Sequence, residues 1–430
     1  MSTPWTNWAG TAKATAARIA RPASTDELAA DLRKAAEDGL RVKAVGAGHS
    51  FTPAALTTGL RVELDQLVSP VRVDTTTRRV TVQAGMRLHD LNLLLASHGL
   101  ALPNLGDIDV QTVAGALATG THGTGAGFGC LSTFIAGLEL VTASGEVVNA
   151  TPGTELFDAA RVNLGALGVV SAVTLQCVEA FTLRADERPA PLASVWDDLD
   201  GHIADNDHFE FYWFPYTDRV QIKRNNRVPV ADQPLPGWRQ WLDDEFLSNT
   251  VFAGACRLGR AAPRFVPAIS RVSARALSAR TYTAASHDVF CTPRRVRFVE
   301  MEYGLPRENV RAAFDALRRV IAGLSVKVIF PVEVRFTAAD DIWLSHGYGR
   351  DSAYIAIHQY VGAPYEDYFR RFEAEAKALG GRPHWGKMHY RDAESLAEVY
   401  PRFGDFVALR DKLDPGRLFA NDYTDQVLGA

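Results

Sequence analysis

Two glycine-rich runs and one alternating strand carry the side chains of this 430-residue sequence whose types and spacing suit chemistry. The runs are Gly46-Ala47-Gly48-His49-Ser50-Phe51 and Gly120-Thr121-His122-Gly123-Thr124-Gly125. Backbone N–H groups in such loops approach a phosphate closely because no Cβ intervenes, and two loops together suit a diphosphate. An isolated glycine pair is more often a plain tight turn, but His49 and Ser50 in one loop and Thr119, Thr121 and His122 at the other add functional groups. The first run matches only the opening of GxGxxG, has Phe51 where the third glycine belongs, and meets Pro53 instead of opening a helix. A nicotinamide-binding Rossmann fingerprint is therefore disfavoured. Further on, Val332-Glu333-Val334-Arg335-Phe336 has the strand period of two, so Glu333 and Arg335 project together while the apolar residues face the other way. Such a pair is commonly a surface ion pair. On a neighbouring strand Tyr354, Ala356, His358 and Tyr360 share a face, and His358 is a candidate general base, with a hydrogen-bonded core histidine as the bland alternative.

The elements that must position these groups read clearly in the first third. Ser24-Thr25-Asp26-Glu27 is a capping-box signature, and Leu28, Leu32, Ala35 and Ala36 follow at helical spacing until Gly39. A strand over 41–45 then leads into the first glycine run. Strands are expected over 60–64, 79–83 and 169–175, a helix over 88–95 ending at Gly99, a helical turn over 112–117, and a hairpin around Ala143-Ser144-Gly145. From about residue 182 glycines thin out and aromatic residues gather at 209–214, followed by a Pro-rich connection around 228–237. Strands over 297–303, 328–336 and 354–360 alternate with helices near 307–322 and 365–379, which suggests a sheet covered by helices on one face. The expected class is α+β, with a first domain over 1–181, a second over 182–400, and a segment over 401–430 returning to the first.

Size and composition bound the rest. With 47% hydrophobic residues the chain can bury a substantial core. The net charge of −4, from 46 basic and 50 acidic residues intermixed along the chain, gives no reason to expect nucleic acid or an anionic membrane as partner. A small neutral or anionic ligand fits better. Cys130, Cys177, Cys256 and Cys291 form no CxxC pair, so neither a disulfide framework nor a metal site is expected. The stretch Met1–Gly10 lacks a signal-peptide pattern, and nothing approaches the ~20 apolar residues of a membrane helix. A cytoplasmic location is expected.

Seven blocks, in order, resemble the vanillyl-alcohol-oxidase type of FAD flavoprotein, specifically the aldonolactone and alditol oxidoreductases. They are Asn7-Trp8-Ala9-Gly10, the run from Val45 to Phe51, Asn104 through Gly125, Leu164 to Gly168, Glu333 to Phe336, His384-Trp385-Gly386-Lys387 and Leu413-Asp414-Pro415. The resemblance implies a two-domain fold, with an FAD-binding domain followed by a substrate domain. It implies that Ala44, Val45, Gly46, Ala47, Gly48, His49 and Ser50 wrap the FAD, with Gly106, Asp107, Thr112, Gly115, Thr119, Gly120, Thr121, His122, Val170 and His384 completing its pocket. By the same resemblance His49 is the site of a covalent link to the flavin 8α-carbon, Glu333 and Arg335 hydrogen-bond sugar hydroxyls, and Lys387 stands near flavin N1 and the substrate oxygen. Asp107 replaces the serine of alditol oxidases, which shifts the expected substrate from a polyol toward a sugar lactone. Gly106 leaves room for oxygen beside the flavin, so O2 or an external acceptor is the expected oxidant.

Overall fold

The computed structural model describes residues 4–430, so part of the N-terminal stretch considered above lies outside the described residues. Its first unit is parallel: β1 (Arg18–Ala20), α1 (Thr25–Glu37), β2 (Val42–Val45) and β3 (Leu60–Glu63), with strand order β1-β3-β2. The Ser24 hydroxyl accepts from the Glu27 N–H and starts α1, but the Glu27 carboxylate reaches back to the Ala23 N–H, one residue earlier than a capping box requires. Leu28, Leu32 and Ala35, spaced for one helix face, are fully buried. Burying a leucine side chain stabilises the fold by about 1.5–3 kcal/mol, so this spacing pins the helix that feeds the first glycine run.

An antiparallel sheet follows, built from β4 (Pro70–Asp74), β5 (Arg79–Gln83), β6 (Ile135–Val141), β7 (Val147–Ala150) and β8 (Val169–Gln176) in the order β7-β6-β8-β5-β4. Between β5 and β6 lie α2 (Leu88–Ser97) and the short α3 (Val113–Ala118), capped by the Thr112 hydroxyl, which accepts from the Gly115 N–H. The hairpin at 143–145 turns through Gly145 at φ +75°, in the left-handed region that glycine tolerates.

The second part centres on an eight-stranded sheet. Its strands are β9 (Thr182–Pro191), β10 (His208–Trp213), β11 (Arg219–Val228), β12 (Arg280–Ala285), β13 (Phe298–Pro306), β14 (Val332–Thr337), β15 (Ser352–Tyr360) and β16 (Arg382–Pro383), in the order β12-β9-β11-β10-β14-β15-β13-β16. One face packs on α4 (Val310–Ala322) and α5 (Glu366–Ala378) through Phe211, Met301, Val334, Ile355, Phe314 and Phe372. The opposite face carries the polar residues of the same strands, because successive side chains alternate. The strand expected over 328–336 begins only at Val332: Pro331 has no N–H to donate to a ladder, and Ile329 and Phe330 pack instead with Cys256 and Val266. Helices over 237–276, an insertion that the sequence pattern did not single out, provide those partners.

The last segment, with α6 (Phe403–Leu413) and α7 (Asp422–Leu428), joins the core of the first part through Phe406, Tyr423 and Val427. No helix among the described residues is long and apolar enough to cross a membrane.

Candidate active site

The first glycine run is held from three directions. Trp8 N–H donates to the Gly48 carbonyl at 2.8 Å, and the Asn7 amide donates to the Ser50 carbonyl at 2.9 Å. Phe51 N–H donates to the Gly386 carbonyl at 2.7 Å, which ties the run to His384-Trp385-Gly386-Lys387 of the second part. Glycine is required where the run meets α3, since a Cβ at Gly46 would lie 2.3 Å from the Thr112 hydroxyl. A Cβ at Gly386 would lie 3.4 Å from both the Ser50 and the Thr119 hydroxyls, so those residues and His384 converge. Gly106 sits against the second run, its absent Cβ 3.2 Å from the His122 carbonyl and 3.5 Å from the Thr121 methyl.

Between the runs and the polar face of the large sheet lies a cavity of about 1020 Å³. Of the residues expected to hold the cofactor, His49, Ser50, Gly106, Asp107, Thr119, Thr121, His122 and His384 line it, and all four expected at the substrate end, Glu333, Arg335, His358 and Lys387, do so too. Ala44, Val45, Gly46, Ala47, Gly48, Thr112, Gly115, Gly120 and Val170 do not line this cavity. Gly46 and Gly115 instead close on Thr112, Gly120 on the His346 ring, and Val170 is buried in β8.

His49 stacks on Trp8 with ring centroids 5.5 Å apart. Burial, and then the positive charges of Arg87 and Lys387, lower its pKa to about 4, so its imidazole is neutral at physiological pH.

At the substrate end, Glu333 and Arg335 stand side by side in contact, as the strand period predicts, but they are buried and belong to a larger network. Arg335 also pairs with Asp107 and, at 3.0 Å, with Glu210; Asp107 pairs with Arg294 at 2.9 Å, and Glu210 with Lys223 at 3.1 Å. Asp107, expected among the cofactor residues, is thus engaged with the substrate-side charges. Asp107, Glu210 and Glu333 lie close enough together to hold a metal ion, yet the Arg335 guanidinium already pairs with all three. The Tyr212 hydroxyl donates to Glu333 Oε1 at 2.9 Å. Burial raises the Glu333 pKa to about 7, more than Arg335 can lower it, and the carboxylates of Asp107 and Glu210 add to the rise.

His358 is placed differently from a free general base. Its Nδ1 is 3.3 Å from the Pro331 carbonyl and its Nε2 is 3.4 Å from Glu300 Oε1, so both nitrogens face oxygen acceptors. Neither is free to take a proton from a ligand without giving up one of these contacts. Lys387 contacts Glu300 Oε2. Burial alone would lower the pKa of this ammonium, but Glu300 and Glu302 outweigh it and hold it above the ordinary lysine value. Glu302 pairs with His122 Nε2 at 3.3 Å.

Sequence reasoning missed Glu210, Tyr212, Lys223, Arg294, Glu300 and Glu302. The last two had a usable signal: Val299-Glu300-Met301-Glu302-Tyr303 alternates apolar and acidic residues, which puts two carboxylates on one face of a strand.

Comparison with known proteins decides what this cavity belongs to. The family described as D-arabinono-1,4-lactone oxidase matches residues 173–427, and the FAD binding domain family matches residues 16–151. The chain belongs to the D-arabinono-1,4-lactone oxidase family. It is 45% identical over 429 residues to L-gulono-1,4-lactone dehydrogenase of Mycobacterium tuberculosis, with 100% of each chain covered. It is 35% identical to L-gulonolactone oxidase of Bos taurus, covering 98% of this chain and 97% of the bovine one. A solvent-stable cholesterol oxidase structure superposes with a TM-score of 0.85 over 100% of this chain and 98% of the other, at 19% identity, and so shares the fold. The two-domain flavoprotein architecture, the FAD cofactor and the oxidoreductase class expected from the sequence are therefore established for this family member. The cavity volume, and the close approach of Gly386 to Ser50, Thr119 and His384 at its wall, suit a bound cofactor, since pockets of about 300–1,000 Å³ hold small molecules and cofactors.

Proposed function

We propose that this protein oxidises the C2 hydroxyl of an aldonolactone such as L-gulono-1,4-lactone. The single observation that carries the reading is a buried polar network, Asp107, Arg335, Glu333 and Tyr212, lining the same cavity as Lys387, His358 and the residues expected at the cofactor. Bound FAD supplies the acceptor for the hydride from the substrate carbon. The chain's own residues do the rest. Arg335 and Tyr212 orient the ring hydroxyls. The Lys387 ammonium faces the reacting oxygen and stabilises the negative charge that develops there, with the His358 ring beside it. Glu333, poised to change charge near neutrality, takes the hydroxyl proton.

Ala44 to Ser50, with Thr112, Gly115, Thr119, Gly120, Thr121, His122, Val170 and His384, hold the cofactor in this reading. His49 would be its covalent anchor, through a ring nitrogen that burial keeps neutral at physiological pH. O2, with room beside Gly106, or an external dye-like acceptor would reoxidise the flavin. We place the protein in the cytoplasm, in keeping with its four unpaired cysteines. The test is a steady-state assay on L-gulono-1,4-lactone and on xylitol, with peroxide and dye reduction followed together. Turnover of the lactone alone supports the reading; turnover of xylitol alone overturns it.

A further inference from the structure

Glu300 is a cavity carboxylate shared between Lys387 and His358. It is 4% exposed, stands on β13 at the polar face of the sheet, and touches Lys387 with one oxygen and the Nε2 of His358 with the other. The Pro331 carbonyl at His358 Nδ1 can only accept, so Nδ1 carries a ring hydrogen. Nε2 stands 3.4 Å from a Glu300 oxygen, so the ring is held between that carboxylate and Pro331. Phe298 and Phe330 wall the ring with centroids 5.1 and 6.0 Å away, which leaves it no alternative polar partner on that side.

We infer that Glu300 is a positioning residue that fixes Lys387 as the hydrogen-bond donor toward the substrate oxygen and, through its other oxygen, holds the His358 ring in place beside it. The inference rests on the proposed oxidation of a hydroxyl at this site and assigns a residue that neither the family resemblance nor the strand motifs singled out. Its physical logic is that the Lys387 ammonium is penalised by desolvation in a buried cavity; a carboxylate in contact with it offsets that cost, and the same carboxylate fixes the His358 ring beside it. Burial by itself would raise the Glu300 pKa, but Lys387 and His358 overrule it and hold it down at about 2, so the carboxylate stays charged across the physiological range. The other groups facing Lys387 are Glu302 on β13, Glu333 on β14, and His384 and His49 from the loops. Of these only Glu300 bonds it directly. With Lys387 held, the cavity stabilises alkoxide character, and the proton acceptor is left to be Glu333 across the site.

The test is Glu300→Gln in the FAD-loaded enzyme. A glutamine has one acceptor oxygen and no charge, so it cannot hold both partners. We expect kcat to fall at least ~10-fold with KM changed less than about threefold, and the alkaline limb of the kcat profile to move down by about one pH unit or more. A second readout needs no turnover: reductive 13C-methylation of the lysines, with the Lys387 signal assigned by its loss in Lys387→Arg, should show a lower titration midpoint in Glu300→Gln than in the parent. Should Glu300→Gln not fold, Glu300→Asp, one methylene too short to reach both partners, carries the same two measurements. An unchanged alkaline limb together with an unchanged Lys387 midpoint overturns the inference. A parent enzyme that turns over no lactone overturns the proposed function instead, and the lysine titration still reports on Glu300.

Discussion

Replacing Lys387 by methionine removes the ammonium and keeps most of the side-chain volume. A unit charge ~4 Å from a developing alkoxide is worth ~4 kcal/mol at an effective dielectric constant of ~20, or ~10³ in rate. The structure modifies that figure, because Lys387 is not alone. Its partner Glu300 sits behind it, ~7 Å from the same oxygen if the two lie in line, and at that distance its carboxylate opposes the ammonium by ~2 kcal/mol. Without Lys387 the buried Glu300 loses the main group that holds its pKa low, and the pKa must rise. Where Glu300 has picked up a proton both charges are gone, and the net loss is ~2 kcal/mol, or ~20-fold in kcat. Where Glu300 is ionised, the whole ~4 kcal/mol is lost, and the defect approaches ~10³. The assay is kcat for the lactone between about pH 6 and pH 9, with flavin absorbance used to normalise for cofactor content. A defect that deepens as pH rises is expected. A folded, flavin-loaded Lys387→Met enzyme within about threefold of the parent throughout that range would refute the electrostatic argument.

Three further outcomes follow from the same geometry. Glu333 has a raised pKa of about 7, so its ionised form grows as pH climbs through neutrality; kcat/KM should rise through that region, and Glu333→Gln should lose the rise and ~10²-fold or more of activity in a pH-rate profile. His49→Ala should release into the acid supernatant a flavin that stays with the precipitated parent protein, whereas flavin released from both would count against a covalent link. Gly106→Ala presses a methyl toward the His122 carbonyl, 3.2 Å from the ideal Cβ position, and should slow reoxidation by O2 in stopped flow far more than reduction by the lactone.

Much of this site could be read from the residue pattern because the deciding interactions are local. The alternation at 332–336 put Glu333 and Arg335 on one face, and their neighbours in the fold only confirmed the direction. Ser24 marked the start of α1 through a side-chain bond to its own helix. What escaped was set by distant pairing. β10 reads His-Phe-Glu-Phe-Tyr-Trp, with aromatic residues on both faces, so the period that would expose Glu210 and Tyr212 is blurred. Arg294 lies in a loop outside regular structure and acquires a role only because Thr292 N–H donates to the Asp107 carbonyl and brings that loop to the site. His358 kept its predicted face but not its expected freedom, since Pro331 and Glu300 come from two other strand regions.

The segment after α6 also braces the first glycine run. Asn421 donates to the carbonyls of Pro53, Ala54 and Leu56, just beyond the first glycine run, and Leu418 offers its carbonyl to Val42 N–H just before it. The cradle for the cofactor is therefore braced from a part of the chain far from it in sequence. A chain cut before Leu418 should give a colourless product even though every residue expected to touch the cofactor is still encoded.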